Sequence, residues 1–164
     1  MERSEIEALL DEARALFEGA GADPEDGLDV DDATLLQLRK ACRLIAAAGF
    51  LRAKDGYYTV VVEASFVAIE RTIQFYLLEQ GLLHEDGHVD HSTVYERGVQ
   101  AGLYDEEFAW KLDALWRNNR SDTYYRGGTA TSDRAETMLE LADAIHGYVL
   151  QLAGQRHECI CDGR

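Results

Sequence analysis

The chain has 164 residues, is 46% apolar and 29% charged, and carries 16 basic against 31 acidic side chains, a net charge of −15. That length and apolar share suit one domain with a sizeable core, while one Pro, 14 Gly and three Cys exclude collagen-like, low-complexity and disulfide-scaffold classes. The acidic balance argues against generic duplex binding, which needs Lys and Arg at the phosphates.

No apolar run of membrane-spanning length occurs, and the acidic start Met1-Glu2-Arg3-Ser4-Glu5 lacks a secretory signal's pattern, so a cytoplasmic protein is expected. Thirteen of the 16 basic residues are Arg, with only Lys40, Lys54 and Lys111. Such an acidic, Lys-poor surface resembles proteins of salt-loving archaea, where molar salt screens self-repulsion.

Helical periodicity runs through almost the whole chain. From Ser4 to Gly19, residues Ile6, Leu9, Leu10, Ala13, Leu16 and Phe17 form one stripe. A Gly/Asp/Pro loop follows, and Asp31 or Asp32 can cap the next helix. That helix turns Leu35, Leu38, Cys42 and Ile45 inward and is expected to end at Gly49. Around Asp55-Gly56 the segment 50–62 fits a hairpin, which would make residues 31–62 a winged-helix-type transcriptional regulator. Against the hairpin, two adjacent seams, Val62/Phe66/Ile69/Ile73/Tyr76 and Val61/Ser65/Ala68/Thr72/Phe75, predict a helix from Tyr57 to Gln80 buried on two sides.

Beyond Gly81 lies a polar loop holding His84, His88 and His91 with Glu85, Asp86 and Asp90. Three imidazoles so close could hold a metal if helical, but Gly87 and the charge density favour a solvated loop, and no metal ligand is assigned there. Ser92 is expected to cap a short helix to Ala101, and a further helix from Asp105 turns Phe108, Leu112, Leu115 and Trp116 inward. After the Gly127-Gly128 turn, Asp133 and Glu136 have capping-box spacing for a last helix with Met138, Leu141, Ala142, Ile145, Val149 and Leu152 inward. Cys42 reads as core packing; the tail His157-Glu158-Cys159-Ile160-Cys161 is a weaker metal signal than the histidine loop, because a frayed C-terminus is a poor cage, and its cysteines read as thiols. The organisation expected is a helical extension over 1–54, a four-helix bundle over 55–155 and a loose tail over 156–164.

Residues 116–134 carry Arg117, Arg120, Arg126 and Arg134 against Asp122 and Asp133, a local excess of positive charge in an acidic chain. Arg117 and Arg120 are one turn apart, with Tyr124 four residues on, a spacing that can grip a phosphate while a ring stacks on a base. The alternative is that the arginines pair with carboxylates of a neighbouring helix, Glu70 being a candidate. The helix Ala64-Ser65-Phe66-Val67-Ala68-Ile69-Glu70-Arg71, followed by Arg117-Asn118-x-Arg120-x-x-x-Tyr124-Tyr125, resembles the HEPN (higher eukaryotes and prokaryotes nucleotide-binding) domain family over roughly residues 57–153.

That resemblance implies an all-α, HEPN-like four-helix bundle with an N-terminal helical extension, commonly a homodimer. It implies metal-independent ribonucleases of toxin–antitoxin or defence systems, partnered by a small nucleotidyltransferase and acting on RNA or nucleotide without a cofactor. It places Arg117, Asn118 and Arg120 at the phosphate and Glu70 as the orienter of an arginine. The family's His position holds Asp122 in one register and Tyr125 in the other, and Tyr124 or Tyr125 would stack on a base or substitute for the missing His. No His lies between His91 and His146, so the base such cleavage needs is missing from the motif. The alternative reading, which the missing His favours, is a non-catalytic, dimeric protein-interaction module or antitoxin partner.

Overall fold

The computed structural model describes residues 3–19, 25–85, 87, 89–122, 127–154 and 158–161. The described residues form six α-helices: α1 (Arg3–Glu18), α2 (Ala33–Arg52), α3 (Tyr58–Glu79), α4 (Val94–Gln100), α5 (Glu106–Arg120) and α6 (Ser132–Leu152). Among the described residues there is no strand, and no helix is long and apolar enough to cross a membrane.

Helix α3 is the axle of the bundle. Val61, Val62, Ser65, Phe66, Ala68, Ile69, Thr72, Ile73 and Phe75 are all buried, so both expected seams face protein. Seams on two sides require a neighbour on each side, and α2 and α6 supply them while α4 packs on α3 and α5 on α4. The buried Ser65 hydroxyl donates to the Val61 carbonyl at 2.8 Å, so it is not left unsatisfied.

Several boundaries differ from expectation. Gly49 does not end α2, which runs on to Arg52. Asp55, Gly56 and Tyr57 then take successive positive φ angles of 58°, 85° and 55°. Asp-Gly thus makes a left-handed turn between helices rather than a hairpin, and the wing of a regulator is not formed. Arg39 and Arg43, two of the cations such a reader would need, donate instead to the Gly27 and Asp26 carbonyls.

Asp32 and Asp105 cap α2 and α5 by accepting from the Leu35 and Phe108 amides, both at 2.8 Å. Ser92 does not cap α4. Its amide and hydroxyl both donate to Asp90, whose carboxylate organises that turn. The expected capping box at α6 is replaced by Thr131, while Glu136 pairs with Arg52 of α2. On α5 only Ala109 and Leu112 are buried, and Phe108 and Leu115 remain partly open.

Glycine matters most where α4 leads into α5. A Cβ on Gly98 would fall inside the Tyr104 hydroxyl, which itself donates to the Tyr95 carbonyl at 3.1 Å. Gly98→Ala is therefore expected to destabilise the fold by about 1–3 kcal/mol in denaturant titrations. An unchanged midpoint would contradict this packing.

Candidate functional site

The arginine-rich end of α5 was the sequence's strongest candidate. Arg117 donates through Nε to Asp113 at 2.8 Å, one turn back on the same helix, and its side chain is largely exposed. Arg120 turns toward α3, with its guanidinium 3.6 Å from Glu63 and its carbon centre 5.5 Å from the Trp116 ring. Asn119 donates to the other Glu63 oxygen at 2.6 Å. The two guanidinium groups therefore diverge, each beside its own carboxylate.

Asn118 faces elsewhere again. With Asn119, Asp122 and Arg134 it rims a cavity of about 490 Å³ whose apolar lining includes Phe66 and Met138. Tyr124 and Tyr125, like Arg126, lie outside the described residues.

Glu70 is buried, and its partner is not an α5 arginine: His91 Nδ1 lies 2.5 Å from its carboxylate. The His91 ring stacks on Trp116 with centroids 6.0 Å apart. Burial pushes the Glu70 carboxyl above its ordinary value, against the opposing pull of His91, Arg71 and Arg120. The histidine loop is thus partly structural, since Gln74 of α3 also donates to the Val89 carbonyl at 3.1 Å. His84 is exposed, and His88 and Asp86 lie outside the described residues.

A second constellation was dispersed across the sequence. Cys42 of α2 is fully buried, and His146 of α6 is 3% exposed. Cys159 and Cys161, expected in a loose tail, fold back beside them; residues 159–161 pack against the core. The Cys42 sulfur lies 3.5 Å from both His146 Nε2 and the Cys159 sulfur. His146 Nε2 is also 3.5 Å from Cys159 and 3.3 Å from Cys161. All four ligand atoms lie within 4.8 Å of one another, the one group of three or more such donors so assembled among the described residues.

Two outer contacts orient this cluster. Thr72 of α3 meets His146 Nδ1 at 3.2 Å, leaving Nε2 to face the sulfurs, and the Ile160 amide donates to the Cys42 sulfur at 3.4 Å. Burial opposes a charged imidazole at His146, but the Cys159 and Cys42 sulfurs outweigh it and hold the group up at about 9. Contacts from Cys161, Cys42 and His146 drive the Cys159 thiol downward, so thiolate character is favoured there. In the sequence Cys42 reads as core packing and Cys159 with Cys161 as tail thiols, while His146 draws no reading of its own.

A family model described as a domain of unknown function (DUF8154) matches residues 1–161, which includes α1 and the tail cysteines. Comparison with the curated proteins and with the solved structures finds no match.

The Glu70 environment carries a pH signature. A carboxyl raised in the folded state stabilises the fold below its unfolded value, near 4.3, and that stability is lost as pH rises through the folded value. Glu70→Gln removes this loss, so its unfolding midpoint relative to wild type should rise as the pH is raised from about 4 upward. A difference that stays flat over that range would contradict the assignment.

Proposed function

The chain belongs to the DUF8154 family, and we propose that it works as a non-catalytic interaction module, a homodimer built by exchange of α1. One observation carries this reading: no residue of α1 is buried, and its whole apolar stripe is open, with Leu10 66% and Phe17 93% exposed. A 16-residue helix is marginal in water by itself, and its exposed ion pairs Arg3–Glu7 and Arg14–Glu18 add only tenths of a kcal/mol. Covering each large stripe residue would contribute about 1.5–3 kcal/mol.

A receptor of matching character lies on the same chain. Leu103, Tyr104, Phe108, Leu141, Ile145 and Tyr148 line a mainly apolar cavity of about 480 Å³ between the start of α5 and α6. An amphipathic helix laid in such a groove is a recurrent recognition mode. Because helix and groove belong to one chain, two copies exchanging α1 about a twofold axis cover both surfaces at once and close the assembly. Arg39 and Arg43 hold the Gly27 and Asp26 carbonyls to α2, so the seven residues 19–25 set the reach, at most about 23–25 Å when extended.

α1 and the groove edge at Asp105 are both acidic, so self-repulsion should weaken pairing in dilute buffer and be screened at about 1 M salt. Light scattering is expected to show a dimer that strengthens with KCl. A Leu10→Asp/Phe17→Asp variant and a Tyr148→Asp variant should each be monomeric. Mixing these two variants should restore a heterodimer through the one intact helix–groove pair, a result that misfolding would not produce. A wild-type monomer at every salt and protein concentration would overturn the reading.

The cavity beside Asn118 favours a second reading, in which the chain binds RNA or nucleotide as its HEPN resemblance implies. Asn118, Asn119 and Arg134 offer donors above an apolar floor that could take a base. In that case Asn118→Ala and Arg134→Ala should each weaken binding of a short RNA or of AMP about tenfold, by fluorescence polarisation or calorimetry. Equal affinity in all three proteins would exclude the cavity as the binding site.

A further inference from the structure

We infer that Cys42, His146, Cys159 and Cys161 form a tetrahedral Cys3His site for a single Zn2+, which clamps the C-terminal tail onto α2 and α6. This inference stands on observations independent of the dimer and would survive its failure.

The geometry is that of a metal's first shell rather than of casual neighbours. Zn–S bonds of about 2.3 Å and Zn–N bonds of about 2.0–2.1 Å at tetrahedral angles place sulfurs about 3.8 Å apart and sulfur and nitrogen about 3.5 Å apart. The observed separations are 3.5 Å for the Cys42–Cys159 sulfurs and 3.3–3.5 Å for the three sulfur–nitrogen pairs. With all four atoms inside 4.8 Å there is room for one ion and not for a polynuclear iron–sulfur cluster.

The chemistry of the donors agrees. Three thiolates and an imidazole suit a borderline-soft ion, and carboxylates, which would suit Mg2+ or Ca2+, are absent from the donor set although the chain carries 31 acids. The outer contacts are those that metal ligands use: Thr72 holds the far nitrogen of His146, and the Ile160 amide supports the Cys42 sulfur. Four protein ligands fill a tetrahedron and leave no open position, so the metal's role is structural.

The ligands also explain the tail. Residues 158–161 form no helix or strand, yet Cys159, Ile160 and Cys161 lie against the core. A Cβ on Gly27 would touch both the Ile160 and Arg43 side chains, so the clamped tail borders the segment that Arg39 and Arg43 hold down. One ion would thus tie together α2, α6, the tail and the lead-in to α2.

The test uses the full chain, purified without a metal-binding tag and without chelator. Elemental analysis is expected to find about one zinc per chain, falling below about 0.2 in a Cys159→Ser/Cys161→Ser variant whose helical circular dichroism is unchanged. Replacing zinc by Co2+ should give the visible bands of a tetrahedral ion and thiolate charge-transfer absorption, measured on the wild-type protein so that folding of the variant is not at issue. Stripping with a thiol reagent and chelator should lower the unfolding midpoint by about 5 °C or more, restored by zinc alone. Zinc-supplemented protein that stays metal-free would overturn the proposal, whether its thiols are free or paired in a disulfide. So would zinc retained in the double variant, or a cobalt spectrum of octahedral type.

Discussion

The arrangement depends on α3 being apolar on two sides. A helix with one stripe can lie on a surface, but one that buries Val61, Ala68, Thr72 and Phe75 beside Val62, Phe66, Ile69 and Ile73 must be enclosed. Enclosure brings α2 and α6 to it, and with them Cys42 and His146 from residues 104 apart in the chain. The same helix supplies Thr72 to the imidazole, Glu70 to His91 and Glu63 to Asn119 and Arg120. Its few polar side chains therefore act as fixed contact points for what packs around it.

That constraint was legible in the sequence because periodicity is local. The two seams, the aspartate cap of α2, and the amphipathic stripe of α1 each rest on residues within a few turns of one another. Boundaries were harder. Gly49 looked like a helix end, yet nothing lies within 4 Å of where its Cβ would be, so α2 could continue until three positive-φ residues turned the chain. Thr131 took the cap expected of Asp133, and Glu136 pairs with Arg52 of α2.

The thiol–imidazole cluster was illegible for a different reason. Each member fits a blander role by itself: Cys42 completes an apolar stripe, His146 falls on the face of α6 shared by Ala142 and Val149, and Cys159 and Cys161 follow the last helix. Only tertiary packing shows that a polar histidine on an inward face has sulfurs for neighbours. The sequence signal was the close spacing of Cys159 and Cys161 in the tail, which needed Cys42 and His146 from the bundle to complete the set. The arginine cluster differs in the opposite sense. Local positive charge looked available, but Asp113 one turn back and Glu63 on α3 lie against it.

X-ray absorption at the zinc edge tests the metal centre most directly, because it reads the donor atoms themselves. The account predicts a shell of three sulfurs at about 2.3 Å and one nitrogen at about 2.0–2.1 Å. A shell of nitrogen and oxygen alone, or one containing fewer than three sulfurs, would contradict it.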